Sequence, residues 1–171
     1  MTPDETLPRF RGIRRFRNPV EFRYRTYERP EKIDAICEKC GSPYVFKATP
    51  TPTEQFDPET GGYEVLKGKV CGNFEGKGAC QKCGRVSRSI NWPDDALLKL
   101  EIPGGLFWVW NYELLPVMRA RIAGDNLELR NLIGNDWKIA RIVGRIPKFA
   151  TIKKNRPRIL KEIDHWLSQK K

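Results

Sequence analysis

The clearest periodicity in the chain lies near its end. After Asn155, the apolar residues Ile159, Leu160, Ile163, Trp166 and Leu167 recur at helical spacing, with Arg158, Lys161, Glu162, Asp164 and His165 on the other side. That stripe predicts an amphipathic helix. Upstream, the apolar runs 96–102 and 106–110 flank Pro103-Gly104-Gly105 and predict a β-hairpin turned by its glycines. Asn111 can then cap a helix reaching Ala123, with Gly124 after its end and Pro116 tolerable only in the first turn. Shorter helices are expected near 125–133 and 136–143, each ended by a glycine. Earlier in the chain the pattern is short and β-like, with strand candidates at 63–70 and 85–92. Thr49-Pro50-Thr51-Pro52-Thr53-Glu54 reads as a stiff polar loop and 57–62 as a turn. Gly72, Gly76 and Gly78, placed around Phe74, suggest an irregular turn.

Cysteine spacing changes this picture most. Cys37-Glu38-Lys39-Cys40-Gly41 and Cys80-Gln81-Lys82-Cys83-Gly84 are two C-x-x-C turns, each closed by glycine. Four thiolates suit the tetrahedral preference of zinc, and each turn can give two sulfurs to one ion. The glycines supply positive φ at little cost. A redox pair would want a βαβ setting, and a disulfide framework an oxidising compartment. These pairs sit among Gly, Pro and Lys, and the polar, acidic start 1–5 has no apolar segment of an export signal after it. Zn2+ held by Cys37, Cys40, Cys80 and Cys83 is therefore the expected cofactor. Cys71 is left over, and is read as a small buried hydrophobe rather than a substitute ligand.

The paired knuckles resemble those of the zinc-ribbon class, whose members bind DNA, RNA or protein partners inside transcription, replication, transposition or CRISPR-type machines. The resemblance covers about residues 37–92 and implies a binding module. With the flanking patterns it gives an α+β expectation: an N-terminal arm over 1–36, a zinc-ribbon antiparallel β subdomain over 37–95 with a long insertion, then a β-hairpin and small helical subdomain over 96–171.

Charge sets the expected partner. Over 171 residues, 32 Lys and Arg against 21 Asp and Glu leave a net charge of +11, a balance that suits a polyanion. The excess is concentrated. Arg9, Arg11, Arg14, Arg15, Arg17, Arg23 and Arg25 alternate with Phe10, Phe16, Phe22, Tyr24 and Tyr27 in an acid-poor arm. Arginine forks onto phosphate while aromatic rings stack on unpaired bases. A strand there would place Phe22 and Tyr24 on a core face. From 138 to 161 the chain carries Lys138, Arg141, Arg145, Lys148, Lys153, Lys154, Arg156, Arg158 and Lys161 and no acid.

Catalytic signatures are sparse. His165 is the single histidine and lies on the polar flank of the last helix, and no P-loop or G-x-G-x-x-G occurs. Asp94-Asp95 with Glu101 could hold magnesium in a nuclease, but they follow Trp92-Pro93 in a turn. No apolar run reaches membrane-spanning length, which needs about 18 residues. The expectation is a non-enzymatic, cytoplasmic, nucleic-acid-binding protein with no membrane association. It would serve as an accessory subunit beside other proteins of a bacterial, phage or mobile-element nucleoprotein complex. A protein-interaction adaptor using Trp108, Trp110 and Trp137 is the alternative, and a metal-dependent nuclease the third.

Overall fold

The computed structural model describes residues 29–50, 54–65, 71–144 and 146–170. The described residues fall in two compact units, one holding 54–65 and the other 29–50, 71–144 and 146–170. Within the first, β3 (Glu54–Asp57) and β4 (Gly62–Val65) pair as an antiparallel hairpin, closed by a turn at Gly61 with φ of 67°. The expected strand at 63–70 thus begins at Gly62; its second half, like residues 51–53 of the polar loop, lies outside the described residues.

The second unit is built on a four-stranded antiparallel sheet in the order β1-β2-β5-β6: β1 (Lys32–Ile36), β2 (Pro43–Ala48), β5 (Gly72–Ala79) and β6 (Val86–Trp92). Period-two alternation sets its faces. Ile33, Ala35, Tyr44, Phe46, Phe74, Ile90 and Trp92 are buried, while Lys32, Val45, Lys47 and Lys77 are exposed; Arg88, in phase with Ile90 and Trp92, is exposed where the register shifts against β5.

The glycines around Phe74 are not a turn. They lie within β5, which carries a bulge between Glu75 and Gly78. A Cβ at Gly76 would stand 2.6 Å from the Phe46 ring, and one at Gly78 would stand 2.6 Å from the Tyr44 ring. Strand β5 is glycine-rich because two core aromatics from β2 occupy the space where its side chains would go. Cys71, expected to be buried, is exposed at the start of this strand.

The outer edge of β1 does not end the sheet. Asp34 N–H donates to the Trp110 carbonyl (2.8 Å), Ile36 N–H to that of Asp95 (2.9 Å), and Leu97 N–H to that of Asp34 (3.1 Å). The following hairpin, β7 (Leu98–Ile102) and β8 (Gly105–Val109), falls where the apolar runs predicted it. Its approach is filled by indoles. Trp92 stacks on Trp110 at 4.6 Å and meets Trp108 edge-on at 5.4 Å, with Phe74 5.9 Å from Trp110. Aromatic pairs of this kind contribute about 0.5–1.5 kcal/mol each beyond the area they bury. The Trp92 indole nitrogen is buried with no acceptor among the described residues.

Asn111 does cap, but what it caps is a 3-10 turn, Tyr112–Leu114; the helix proper, α1 (Leu115–Ala123), starts one turn later. Pro116 then falls in the first turn of α1, where its missing N–H costs nothing. Gly124 ends the helix with φ of 81°. Helices α2 (Asn126–Ile133) and α3 (Trp137–Val143) are capped by Asp125 and Asp136 and followed by Gly134 and Gly144. A four-residue helix, α4 (Lys148–Thr151), escaped the sequence reading because it is too short to show a period. The last helix, α5 (Arg156–Gln169), buries Ile159, Ile163 and Trp166 as its stripe requires. Buried Asn155 anchors it, donating from Nδ2 to the carbonyls of Pro103 and Phe149, both at 2.9 Å. The Phe107 and Trp166 rings stack at 6.5 Å, joining hairpin to helix. No helix among the described residues is long and apolar enough to cross a membrane.

Candidate metal centre and basic surfaces

Each C-x-x-C-G run forms the turn of one hairpin, the first joining β1 to β2 and the second β5 to β6. The two turns share one backbone pattern. Gly41 N–H donates to the Cys37 carbonyl (2.8 Å) and Gly84 N–H to that of Cys80 (2.9 Å). Cys37 N–H donates to Ser42 and Cys80 N–H to Arg85, both at 2.9 Å. Gly41 and Gly84 have φ of 68° and 69°, a left-handed conformation that glycine adopts freely. Because β2 pairs with β5, the two turns meet at one end of the sheet.

All four sulfurs lie within 4.8 Å of one another. Between the turns, the Cys37 and Cys83 sulfurs stand 3.6 Å apart and those of Cys40 and Cys80 3.5 Å apart. These are too long for disulfides, whose sulfurs sit about 2.05 Å apart. They approach the edge of about 3.8 Å expected for a tetrahedron of thiolates around one ion with metal–sulfur bonds of about 2.3 Å. Cys37 and Cys80 are buried, Cys40 and Cys83 half-buried. The Ser42 hydroxyl and amide hold the Cys40 thiol down to about 6. At Cys83 the Arg85 amide favours the thiolate, but burial and the three neighbouring sulfurs push the thiol up to about 11. Sulfurs this close cannot all ionise against one another, and a cation among them removes the conflict. The four cysteines are thus positioned to bind a metal ion, and exposed Cys71 stands apart from them.

The other expected site residues divide. Arg9, Arg11, Arg14, Arg15, Arg17, Arg23, Arg25 and Arg145 lie outside the described residues, as do Phe22 and Tyr24. Lys148, Lys153, Lys154, Arg158 and Lys161 are exposed. Arg156 is half-buried and serves the fold, its Nε donating to the Thr151 carbonyl at 2.8 Å. Arg141 is half-buried as well. Among the described residues the ion pairs are Arg85–Glu38 and Arg119–Asp164, so none of the five exposed cations from Lys148 to Lys161 is in one.

Of the tryptophans suggested as a contact surface, Trp110 is buried and Trp108 half-buried in the indole cluster. The side chain of Trp137 is outside the described residues. Asp94 and Asp95 hold their own turn: Asp95 accepts from the Asn91 amide (2.6 Å) and Asp94 from Asn91 Nδ2 (2.7 Å). Glu101 is exposed on β7.

Sequence reasoning missed a groove of about 970 Å³ on the outer face of the four-stranded sheet. Lys47, Lys77 and Arg88 line it with Val45, Val86 and Tyr112. The three cations lie on three different strands, so only strand register could have revealed the group. No protein-family profile, curated protein or solved structure matches this chain.

Proposed function

We propose that the chain is a non-catalytic, zinc-stabilised nucleic-acid-binding protein, an accessory subunit of a bacterial, phage or mobile-element nucleoprotein complex. The observation that carries the reading is the run of exposed cations Lys148, Lys153, Lys154, Arg158 and Lys161, in no ion pair among the described residues and with no acid between 138 and 161. Such a surface lowers its self-repulsion by taking up phosphates and releasing their counterions. The all-sulfur donor set supports zinc over harder cations. Four protein ligands fill a tetrahedron and leave no position for a reacting water, which supports a structural role for the ion. Asp94 and Asp95 are already engaged by Asn91, which weakens the nuclease alternative.

Elemental analysis should find one zinc per chain. Labelled oligonucleotides followed by fluorescence anisotropy should bind with strong salt dependence. If the five cations each meet one phosphate, affinity falls about 10²–10³-fold between 50 and 200 mM salt. Binding that is absent, or that is unchanged across that range, overturns the assignment.

A further inference from the structure

We infer that the groove on the outer face of the four-stranded sheet holds a single-stranded segment of nucleic acid, an inference that rests on the nucleic-acid-binding reading and gives it a second, chemically distinct surface. Strand register is the starting point. Lys32 stands directly opposite Lys47, and Lys47 directly opposite Lys77. Three lysines on three neighbouring strands thus form a ladder across the sheet, and all three are exposed. Directly opposed like charges destabilise a sheet. Arg88 on β6, exposed opposite the β5 bulge, lines the groove as a fourth cation, and none of the four is in an ion pair among the described residues. The strands themselves carry two acids, Asp34 and Glu75. Asp34 lines the groove, its carboxylate accepting from the Tyr112 amide at 2.8 Å, and sets one negative charge against the cations; Glu75 does not line the groove.

The ladder asks for a polyanion that runs across the strands. Two strand spacings cover about 10 Å, so the ladder can meet consecutive phosphates of one nucleic-acid strand. Beside the ladder the floor is apolar, with Val45 49% and Val86 67% exposed and Tyr112 at the margin. A duplex offers an outer face of phosphates and keeps its bases stacked inside, so it leaves that floor uncovered. An unpaired strand can lay base faces on it while its phosphates meet the lysines. Charge and apolar floor together therefore select the single strand. The shared ligand chemistry is a sugar–phosphate chain with exposed bases, and its sugar is decided by experiment.

The test compares the full chain with the triple variant Lys47→Ala/Lys77→Ala/Arg88→Ala. Both are titrated with labelled oligothymidylate, oligouridylate and a duplex of about twelve residues or base pairs. Metal content and circular dichroism verify the fold, and Lys47→Arg/Lys77→Arg keeps charge where the alanines disturb the strands. Three lost phosphate contacts predict about 100-fold weaker single-strand binding near 0.1 M salt, with duplex binding changed less than about twofold and the arginine variant close to the parent. The better of the two single strands identifies the sugar. Equal losses on single strand and duplex, or no loss on either, overturn the groove while leaving the functional reading intact. Polyglutamate of matched charge displacing the strand as well as unlabelled oligonucleotide also overturns it, because the groove then reads charge alone. A parent protein that binds none of the oligonucleotides refutes the functional reading itself.

Discussion

Replacing Gly41 by alanine isolates the cost of the knuckle turn. At Gly41 and Gly84 an added Cβ would meet nothing within 4 Å, so no steric clash contributes. What remains is the left-handed backbone at φ of 68° and 69°, which costs an L-residue with a Cβ about 1–2 kcal/mol. The sulfurs converge only when both turns are closed, so this cost is drawn from metal affinity as well as from folding. Gly41→Ala and Gly84→Ala should each weaken zinc binding about 5–30-fold, by equal amounts, because the two turns share one hydrogen-bond pattern. Asparagine visits the left-handed region more readily, so Gly41→Asn should recover part of the loss. Competition with a chromophoric chelator reads the affinity, and thermal unfolding should fall by about 2–4 °C for each kcal/mol. An unchanged affinity in Gly41→Ala, or an asparagine variant no better than alanine, refutes the reasoning.

Two further variants probe other parts of the molecule. Cys71→Ser should leave zinc stoichiometry unchanged by elemental analysis, because Cys71 is exposed and outside the sulfur cluster; a fall would place it in the ligand set. Asp34 is held above its ordinary carboxylate range by burial, against the opposing hydrogen bond from Tyr112. The folded state therefore holds that proton more tightly than the unfolded chain, and the penalty for the charged form exists above the folded pKa and vanishes below 3.8. Asp34→Asn keeps an acceptor for Tyr112, so it should be at least as stable as the parent at pH 7, with the difference closing as pH falls through that region. Denaturant titrations at pH 7 and at about pH 3.5 measure this, and an advantage that grows on acidification contradicts the sign.

The metal centre was legible in the sequence because its information is local: spacing within each C-x-x-C-G run sets the turn, and the turn sets the sulfurs. Helix α5 was legible for the same reason, since its stripe is periodic over two full turns. The β7–β8 hairpin needed only two apolar runs and a glycine pair. Three features were hidden because they depend on which strands become neighbours. The β5 glycines resembled a turn until the Phe46 and Tyr44 rings were placed against them. Cys71 resembled a core residue until strand phase set it outside. The lysine ladder and its groove draw on β1, β2 and β5, which no linear pattern connects. The start of α1 is less legible for another reason: Asn111 caps as expected, but it serves a 3-10 turn as well as it would an α-helix, and its side chain alone does not say which.

The hydrogen bonds that close the outer edge of β1 also impose an order on synthesis. Chains emerge N-terminus first, so the last sulfur, Cys83, is made before residues 95–112 that complete this edge. In that interval the four strands and their metal site exist with β1 uncovered, its backbone groups free to pair with another chain. The partners that end the exposure are remote in sequence, Asp34 pairing with Trp110 and Ile36 with Asp95, and such distant pairings form slowly. A metal ion captured by the four cysteines at that stage would hold the nascent sheet in register until the second half of the chain arrives to cover it.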